Sequence, residues 1–251
     1  MTDATLRITA ADVVYGRGAR AIHALRGITA SLEPGTIVGL IGVNGAGKTT
    51  LLELLAGAQV PTAGTVHWFG SSRPAAAVRA RLGFCPDVPA LPPTFTVQEA
   101  LRFFGGLRGL YGPALDTALA RSIERLELGP ILHRSVRALS RGNLVRTGVA
   151  QALLGGPAAL LLDESFAPLD PVLQVRLRDV LSAEARRGAA VLVSSHQLQQ
   201  VATIADSIWV LHDGELIRVL RSGDWDRAAT LEAILLEARR DAAGGARPPQ
   251  P

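Results

Sequence analysis

The N-terminal part of the chain alternates between apolar and polar positions in short stretches separated by turn residues. Three stretches predict half-buried strands: residues 6–16, 27–35 and 64–70. Residues 36–42 instead form a β-branched apolar run, which favours a parallel strand buried on both faces. From Lys48 the leucines are grouped as on one side of a helix, and we expect that helix to end at Gly57.

The pattern changes in the middle of the chain and then returns to strands. Helical spacing dominates residues 96–154, whereas residues 158–162 and 189–195 are apolar runs of strand length. Residues 214–220 indicate part of a hairpin, and residues 230–241 indicate a short final helix. Because strands and helices alternate around the helical stretch, the sequence predicts an α/β fold with a mostly parallel sheet and a helical insertion.

Composition excludes several classes of protein. With 48% apolar residues, the 251-residue chain can bury a sizeable core and does not have the composition of a disordered protein. The net charge of +4 comes from scattered arginines, whose only adjacent pairs are Arg186-Arg187 and Arg239-Arg240, so no basic arm for nucleic acid is expected. The uncharged residues 147–162 fall short of the roughly 20 residues that span a bilayer.

The N-terminus and the single cysteine favour a cytoplasmic protein. Residues 1–10 lack the basic start and the apolar run of a signal peptide. Cys85 has no partner for an internal disulfide, which favours a reducing compartment. We interpret Cys85 as a small packing residue rather than a redox switch.

The segment GVNGAGKTT, residues 42–50, has the spacing of a phosphate loop and lies between a predicted strand and a predicted helix. Glycines allow backbone N–H groups to turn towards a phosphate, and the positive end of the following helix faces the same anion. The hydroxyl of Thr49 is a candidate Mg²⁺ ligand. The residues predicted to bind the nucleotide here are Gly42, Asn44, Gly45, Ala46, Gly47, Lys48, Thr49 and Thr50.

Lys48 is the only lysine among the 26 lysines and arginines of the chain. The bias towards arginine therefore operates wherever a cation suffices. At this position a compact ammonium must enter a narrow nest between the β- and γ-phosphates, and the planar guanidinium of arginine would crowd that nest.

Two adjacent carboxylates, Asp163 and Glu164, follow the apolar run 158–162. The carboxyl ends of parallel strands are where α/β proteins place their sites, so we expect Asp163 to hold Mg²⁺ and Glu164 to polarise an attacking water. Alone, the pair is equally consistent with a solvated acidic turn, and the phosphate loop is what favours the catalytic interpretation.

With these motifs in order, residues 6–220 resemble an ABC-type ATPase, the nucleotide-binding subunit of an ABC transporter. LSRGN, residues 139–143, takes the place of the family signature LSGGQ. The resemblance implies that Ser140 and Gly142 face the γ-phosphate of ATP held by a second subunit. It also implies a P-loop NTPase fold in which an antiparallel β subdomain accompanies the parallel core.

Three further residues match the family pattern. His196 resembles the switch histidine that contacts the γ-phosphate, and Tyr15 resembles the aromatic residue that stacks on adenine. The segment APLD, which ends at Asp170, resembles the loop that crosses the dimer interface. The resemblance thus implies catalysis by Glu164, His196 and Lys48, with ATP and Mg²⁺ as cofactors.

Each of these residues also has an ordinary structural interpretation. Tyr15 is an acceptable strand-edge aromatic residue, and a histidine such as His196 commonly caps a helix or lies at the surface. Ser140 is a suitable helix N-cap, alone or in addition to a phosphate contact. Asp170 precedes a proline and suits a turn.

The sequence departs from the family pattern at four positions. In the signature, Arg141 replaces glycine and Asn143 replaces glutamine, and because the phosphate-facing residues are kept we expect function to survive. Asp87 stands where the family usually has a glutamine that senses Mg²⁺ and links the site to the membrane partner. A carboxylate can still ligate Mg²⁺, so Asp87 joins the predicted metal ligands. Ser165 replaces a proline after Glu164, with little expected effect.

The resemblance predicts an ATP-hydrolysing subunit that dimerises around two ATP molecules and powers a separate integral membrane permease from the cytoplasmic face of the cell membrane. Residues 230–241 resemble the closing helix of exporter subunits, which favours export. We expect an ATPase domain over residues 1–225 with a helical subdomain over about 89–156, and a C-terminal helix with a disordered tail over 226–251. The alternatives are a non-transport ATPase of the same superfamily and a regulatory ATP-binding module. The chain has no long coiled coil and only one ATPase unit, which argues against a non-transport ATPase. It keeps both Glu164 and His196, which argues against a regulatory module.

Overall fold

A computed structural model describes residues 5–196, 198–224 and 236 of the chain. The strands are β1 (Leu6–Tyr15), β2 (Ile22–Leu32), β3 (Ile37–Ile41), β4 (Ala63–Trp68), β5 (Leu82–Cys85), β6 (Ala159–Leu162), β7 (Ala190–Ser195), β8 (Ser207–His212) and β9 (Glu215–Arg221). The α-helices are α1 (Lys48–Leu55), α2 (Ala76–Ala80), α3 (Val97–Leu107), α4 (Gly112–Arg125), α5 (Arg141–Leu153), α6 (Pro171–Arg186) and α7 (Leu198–Ala202).

The central sheet has the strand order β5-β6-β7-β3-β8-β9. All neighbouring pairs are parallel except β8 and β9, which form the predicted antiparallel hairpin. Every residue of β3, β6 and β7 is buried, because helices or other strands cover both faces of the sheet. The prediction of a mostly parallel core is confirmed, and the carboxyl ends of β3, β6 and β7 meet at one edge.

A second sheet has the order β2-β1-β4 and is antiparallel throughout. Its apolar face packs with α1 and one face of the central sheet in a common core that includes Leu6, Ile28, Leu51 and Trp68. This sheet confirms the expected antiparallel β component beside the parallel core. It also brings β2 against the loop that precedes α1.

The helical insertion consists of α3, α4 and α5. Thr96 begins α3 with a capping box, in which its hydroxyl accepts from the Glu99 N–H while the Glu99 carboxylate accepts from the Thr96 N–H. Arginines attach the end of α4 to the rest of the molecule. Arg146 of α5 donates to the carbonyl of Leu126, and Arg176 of α6 donates to the carbonyl of Arg125.

A buried carboxylate completes this attachment. Glu184 of α6 is almost fully buried and pairs with Arg125 of α4 and with Arg187. A buried carboxylate is tolerated only when it is paired, so these contacts fix α4 on α6. The helical insertion therefore has a defined position on the core, and with it the start of α5.

The predicted elements differ from the structure mainly in their ends and in short elements. Strand β2 begins at Ile22, five positions before the predicted stretch at residue 27, because its first residues pair with the end of β1. The sequence pattern did not predict α2, β5, α6 or α7. The division into residues 1–225 and 226–251 remains a prediction, and the expected helix at 230–241 lies outside the described residues except for Leu236. Among the described residues, none of the helices has the length and apolarity needed to cross a membrane.

Candidate active site

The loop between β3 and α1 is shaped by glycines whose side-chain positions are blocked. A Cβ on Gly42 would lie 2.5 Å from the carbonyl oxygen of Leu211 in β8. Gly47 has a φ of +103°, and its Cβ would lie 2.5 Å from the carbonyl oxygen of Ala24 in β2. The N–H of Gly214, in the β8–β9 turn, donates to the carbonyl of Ala46 over 3.0 Å. The loop is thus packed between both sheets in a conformation that only glycine permits at these two positions.

Lys48 is the first residue of α1 and is buried beneath the loop. Its Nζ donates to the carbonyl oxygen of Gly42 over 2.9 Å and lies 3.4 Å from Oε1 of Glu164. The ammonium is therefore held where the loop meets the carboxylate that follows β6. This is the position expected of a cation that contacts a bound phosphate.

Asp163 follows β6 and is buried, with a hydroxyl donor on each carboxylate oxygen. Thr49 Oγ1 donates to its Oδ2 over 2.7 Å, and Ser194 Oγ donates to its Oδ1 over 2.5 Å. Thr49 and Asp163 thus present two hard oxygen ligands at one point, which is the protein contribution that Mg²⁺ usually takes in nucleotide sites. Among the described residues no cluster of three or more His, Cys, Asp or Glu side chains could hold a metal. The donor set fits an ion that completes its shell with phosphate oxygens and water.

Glu164 adopts a left-handed backbone conformation, with a φ of +45°. Its carboxylate lies between two groups that can carry positive charge. Oε1 faces Lys48, while Oε2 accepts from the His196 backbone N–H over 3.1 Å and lies 2.8 Å from His196 Nδ1. The structure therefore brings together all three residues predicted to act in catalysis.

The predicted signature residues form the start of α5. Ser140 is the N-cap, and its hydroxyl accepts from the N–H of Asn143 over 3.3 Å. A Cβ on Gly142 would lie 2.8 Å from the carbonyl oxygen of Pro168, in the segment that leads to Asp170. Packing within the chain is thus one reason for glycine at position 142, alongside the predicted contact with phosphate. Asp170 is itself an N-cap, and its carboxylate accepts from the N–H of Leu173 at the start of α6.

Two predicted site residues lie apart from these contacts. Tyr15 is the last residue of β1 and is paired in register with Ile22, and both side chains are exposed. Asp87, the remaining predicted metal ligand, forms an ion pair over 2.9 Å with Arg141. Two of the departures from the family pattern therefore contact each other across the surface between β5 and α5.

Cys85 ends β5 and is fully buried. Burial raises the pKa of its thiol to about 12, despite a hydrogen bond from Ser165 that lowers it. A thiol that stays protonated at neutral pH is a poor nucleophile, which agrees with a packing role.

Ser194 was not among the residues predicted from the sequence, although it contacts both acidic residues of the site. Its Oγ donates to Asp163 and accepts from the backbone N–H of Glu164 over 2.9 Å. The available signal was the pair of hydroxyl residues, Ser194 and Ser195, at the end of an otherwise apolar strand, where the predicted site lies.

Several solved structures share this fold. An ATP-binding subunit of an ABC transporter superimposes with a TM-score of 0.84 at 26% identity. The match covers 94% of this chain and 99% of that chain. The ATP-binding cassette MJ0796, solved as a dimer in a post-hydrolysis state with ADP and Pi, has a TM-score of 0.80 at 22% identity and covers 86% of this chain and 98% of its own. At that lower identity the likeness concerns the fold.

Curated relatives have similar sequences. The uncharacterized ABC transporter ATP-binding protein YxlF of Bacillus subtilis is 33% identical over 194 residues, which are 77% of this chain and 64% of YxlF. The Nod factor export ATP-binding protein I of Ralstonia nicotianae is 35% identical over 197 residues, which are 76% of this chain and 60% of that protein. The chain thus spans less than two thirds of the length of either relative.

The family comparison covers the phosphate loop, the signature segment and the acidic pair together. The model of the family described as ABC transporter matches residues 25–167, more than half of the 251 residues. Because that match covers more than half of the chain, the chain belongs to the ABC transporter family.

Proposed function

We propose that the protein binds ATP with Mg²⁺ and hydrolyses it. The observation that carries this proposal is the position of the Glu164 carboxylate, which lies against Lys48 and His196 and beside the Thr49–Asp163 pair. A water-activating base, a phosphate-binding cation and two oxygen ligands for a cation thus converge at one point. This is the combination that phosphoryl transfer to water requires.

Each residue has a separate task in this reaction. The loop around Gly42 and Gly47 directs backbone N–H groups at the phosphates, and Lys48 adds its charge. Thr49 and Asp163 would hold Mg²⁺, which when bound neutralises charge on the β- and γ-phosphate oxygens. Glu164 accepts a proton from the water that attacks the γ-phosphorus.

The γ-phosphate competes with Glu164 for the same partner. In the structure, Lys48 Nζ lies 3.4 Å from Glu164 Oε1. A bound triphosphate offers Lys48 a larger negative charge, so Lys48 turns from the carboxylate to the phosphate. Glu164 is then left to contact water, and His196 holds its other oxygen.

The functional unit in this proposal is a homodimer. Ser140 and the start of α5 present a helix N-terminus to the surface, where it suits an anion. ATP bound by one copy would contact Ser140 and Gly142 of the second copy. The dimeric arrangement of the MJ0796 cassette supports this assembly. Tyr15 would stack on the adenine of ATP bound in its own chain.

We further propose that the dimer powers an integral membrane permease, with the chain attached to the cytoplasmic face of the membrane through that partner. Membership of the ABC transporter family supports this role. The relative named for Nod factor export favours an exporter. Co-purification of the tagged chain with a polytopic membrane protein from detergent-solubilised membranes would test it.

A phosphate-release assay tests the catalytic proposal directly. We expect the purified chain to release phosphate from ATP when Mg²⁺ is present and to stop when EDTA removes it. Thr49→Val keeps the shape of the side chain but removes the ligand oxygen, so its rate should fall by about a hundredfold. Equal rates for the wild type and Thr49→Val would point to a contaminating ATPase and contradict the proposal.

Asp87→Gln should have a small effect. Asp87 is 41% exposed and its partner Arg141 is 66% exposed, and exposed ion pairs contribute only about 0–1 kcal/mol. The glutamine oxygen can still accept a hydrogen bond from Arg141 and from water. ATP hydrolysis should therefore change by less than about tenfold, or ~1.4 kcal/mol of barrier.

Asp116→Asn provides the matched control, since it breaks the exposed Arg102–Asp116 pair of the same 2.9 Å length on α3 and α4. If Asp87→Gln stops hydrolysis while Asp116→Asn does not, the carboxylate of Asp87 has a chemical role, such as direct ligation of Mg²⁺.

A further inference from the structure

Ser194 is fully buried near the carboxyl end of β7 and contacts both acidic residues of the site. Its Oγ lies 2.5 Å from Asp163 Oδ1 and 2.9 Å from the backbone nitrogen of Glu164. One hydroxyl therefore links the metal-binding carboxylate to the catalytic one.

The sheet fixes this arrangement. β6 and β7 are parallel neighbours in which Leu162 is paired with Val193. The next residue on each strand, Asp163 and Ser194, therefore lies at the same carboxyl edge. On the β5 side of β6, the N–H of Asp163 donates to the carbonyl of Cys85 over 2.9 Å, which continues the pairing of β5 with β6. Ser194 is thus held by strand pairing and by burial.

The hydrogen-bonding capacity of a hydroxyl decides what each partner receives. A serine hydroxyl has one proton and two lone pairs. Its proton goes to Asp163, because a carboxylate only accepts, and a lone pair accepts the N–H of Glu164. With Thr49 on Oδ2, the Ser194 bond on Oδ1 leaves the Asp163 carboxylate little freedom to rotate.

Glu164 needs such support more than most residues. Its φ of +45° lies in the left-handed region, which is unfavourable for a residue with a Cβ. The bond from its N–H to Ser194 satisfies a partly buried donor in that conformation. The direction of the Glu164 side chain follows from that backbone conformation.

We propose that Ser194 is a positioning residue for ATP hydrolysis, which fixes the Asp163 carboxylate and the Glu164 backbone through a single hydroxyl. This inference rests on the proposed ATPase function and assigns a role within the same site. Ser194 itself does not contact the reacting atoms. Its loss should therefore slow the chemical step and leave nucleotide binding by the phosphate loop intact.

Ser194→Ala removes the hydroxyl with the smallest change in volume. An unsatisfied N–H at Glu164 and a freed Asp163 should lower kcat by about ten- to a hundredfold. The KM for ATP should change by less than about threefold, because an interaction needed only at the transition state affects kcat. ATP binding measured by calorimetry in EDTA, without turnover, should match the wild type.

Two further variants separate positioning from loss of structure. Ser122→Ala makes the same substitution at a buried serine on α4 and should leave kcat unchanged. Ser194→Thr retains the hydroxyl and should recover most of the lost kcat. Thermal unfolding of each variant is measured alongside.

The outcomes are distinct. If the wild type hydrolyses ATP and Ser194→Ala does so equally fast, or if Ser194→Ala loses ATP binding in EDTA together with kcat, Ser194 is not a positioning residue. A Ser194→Thr rate no higher than that of Ser194→Ala would also overturn the inference. If the wild type itself releases no phosphate, the proposed ATPase function fails, and the role of Ser194 in it fails as well.

Discussion

Glu164→Gln is expected to stop ATP hydrolysis while ATP continues to bind. The amide keeps the size and reach of the carboxylate but cannot accept a proton from water. General-base catalysis contributes about a hundred- to ten-thousandfold, so the rate of phosphate release should fall by at least that lower figure. The phosphate loop, Lys48 and the Thr49–Asp163 pair are unchanged, so the nucleotide retains its contacts.

The same substitution should increase the affinity for ATP. In the structure, the Glu164 carboxylate is the anion that Lys48 contacts, at 3.4 Å. Replacing it by a neutral amide removes a competitor for Lys48 and a negative charge beside the triphosphate. Because this pair is mostly buried, with Lys48 7% and Glu164 16% exposed, removal of the competing charge should raise the affinity for ATP by at least about twofold.

Uncleaved ATP should then hold two copies together. If Ser140 and Gly142 of one chain contact the γ-phosphate bound to the other, Glu164→Gln should change from monomer to dimer on addition of ATP and remain monomeric with ADP. Size-exclusion chromatography with light scattering measures this. A variant that stays monomeric at saturating ATP and micromolar protein would count against the proposed dimer.

Glu127→Gln is a matched control for the chemistry. Glu127 also has a left-handed backbone, with a φ of +51°, and lies 3.7 Å from a basic partner, Arg176. It lies two residues beyond the end of α4, outside the site. Hydrolysis should therefore be unchanged in Glu127→Gln, and a similar loss in both variants would attribute the effect to backbone strain rather than to the missing base.

The parts of the fold that were predictable have strong local patterns. The apolar runs 36–42 and 158–162 contain the buried strands β3 and β6, as expected from their composition and length. β5 and α2 were not predictable in this way. β5 has only four residues and is a strand because it pairs with β6. α2 has five residues, none of which is buried, so it has no buried apolar face to predict it. Their structure depends on neighbours far away in the sequence.

In the candidate site, too, local features were predictable from the sequence and long-range contacts were not. The spacing of Lys48 and Thr49 and the position of Asp163 and Glu164 after an apolar run are local features, and they identified the residues that the structure brings together. The contact of Ser194 with Asp163 depends on the register of β6 on β7, and the Asp87–Arg141 pair joins residues 54 positions apart. Opposite charges alone did not select that pair among 26 basic and 22 acidic residues.

Lys48→Arg is expected to lower ATP binding or turnover severely without unfolding the protein. Lys48 is 7% exposed, and its Nζ donates to the carbonyl oxygen of Gly42 over 2.9 Å. The ammonium is compact and has three donors, whereas a guanidinium is broad and planar and has five N–H donors in fixed directions. The contacts available to Lys48 Nζ are the carbonyls of Gly42 and Val43 and the Glu164 carboxylate.

An arginine at this position must therefore leave donors unsatisfied or push into the space of the phosphates. One buried unsatisfied donor costs about 1–3 kcal/mol, so the loss of kcat/KM should be at least about tenfold and larger if the loop is displaced. The measurement is ATP binding and hydrolysis, with circular dichroism to confirm the fold. Arg102→Lys, the reverse exchange at an exposed residue of α3, should be silent. Near-normal turnover in a folded Lys48→Arg variant would contradict the steric argument, and the single lysine of the chain would then need another explanation.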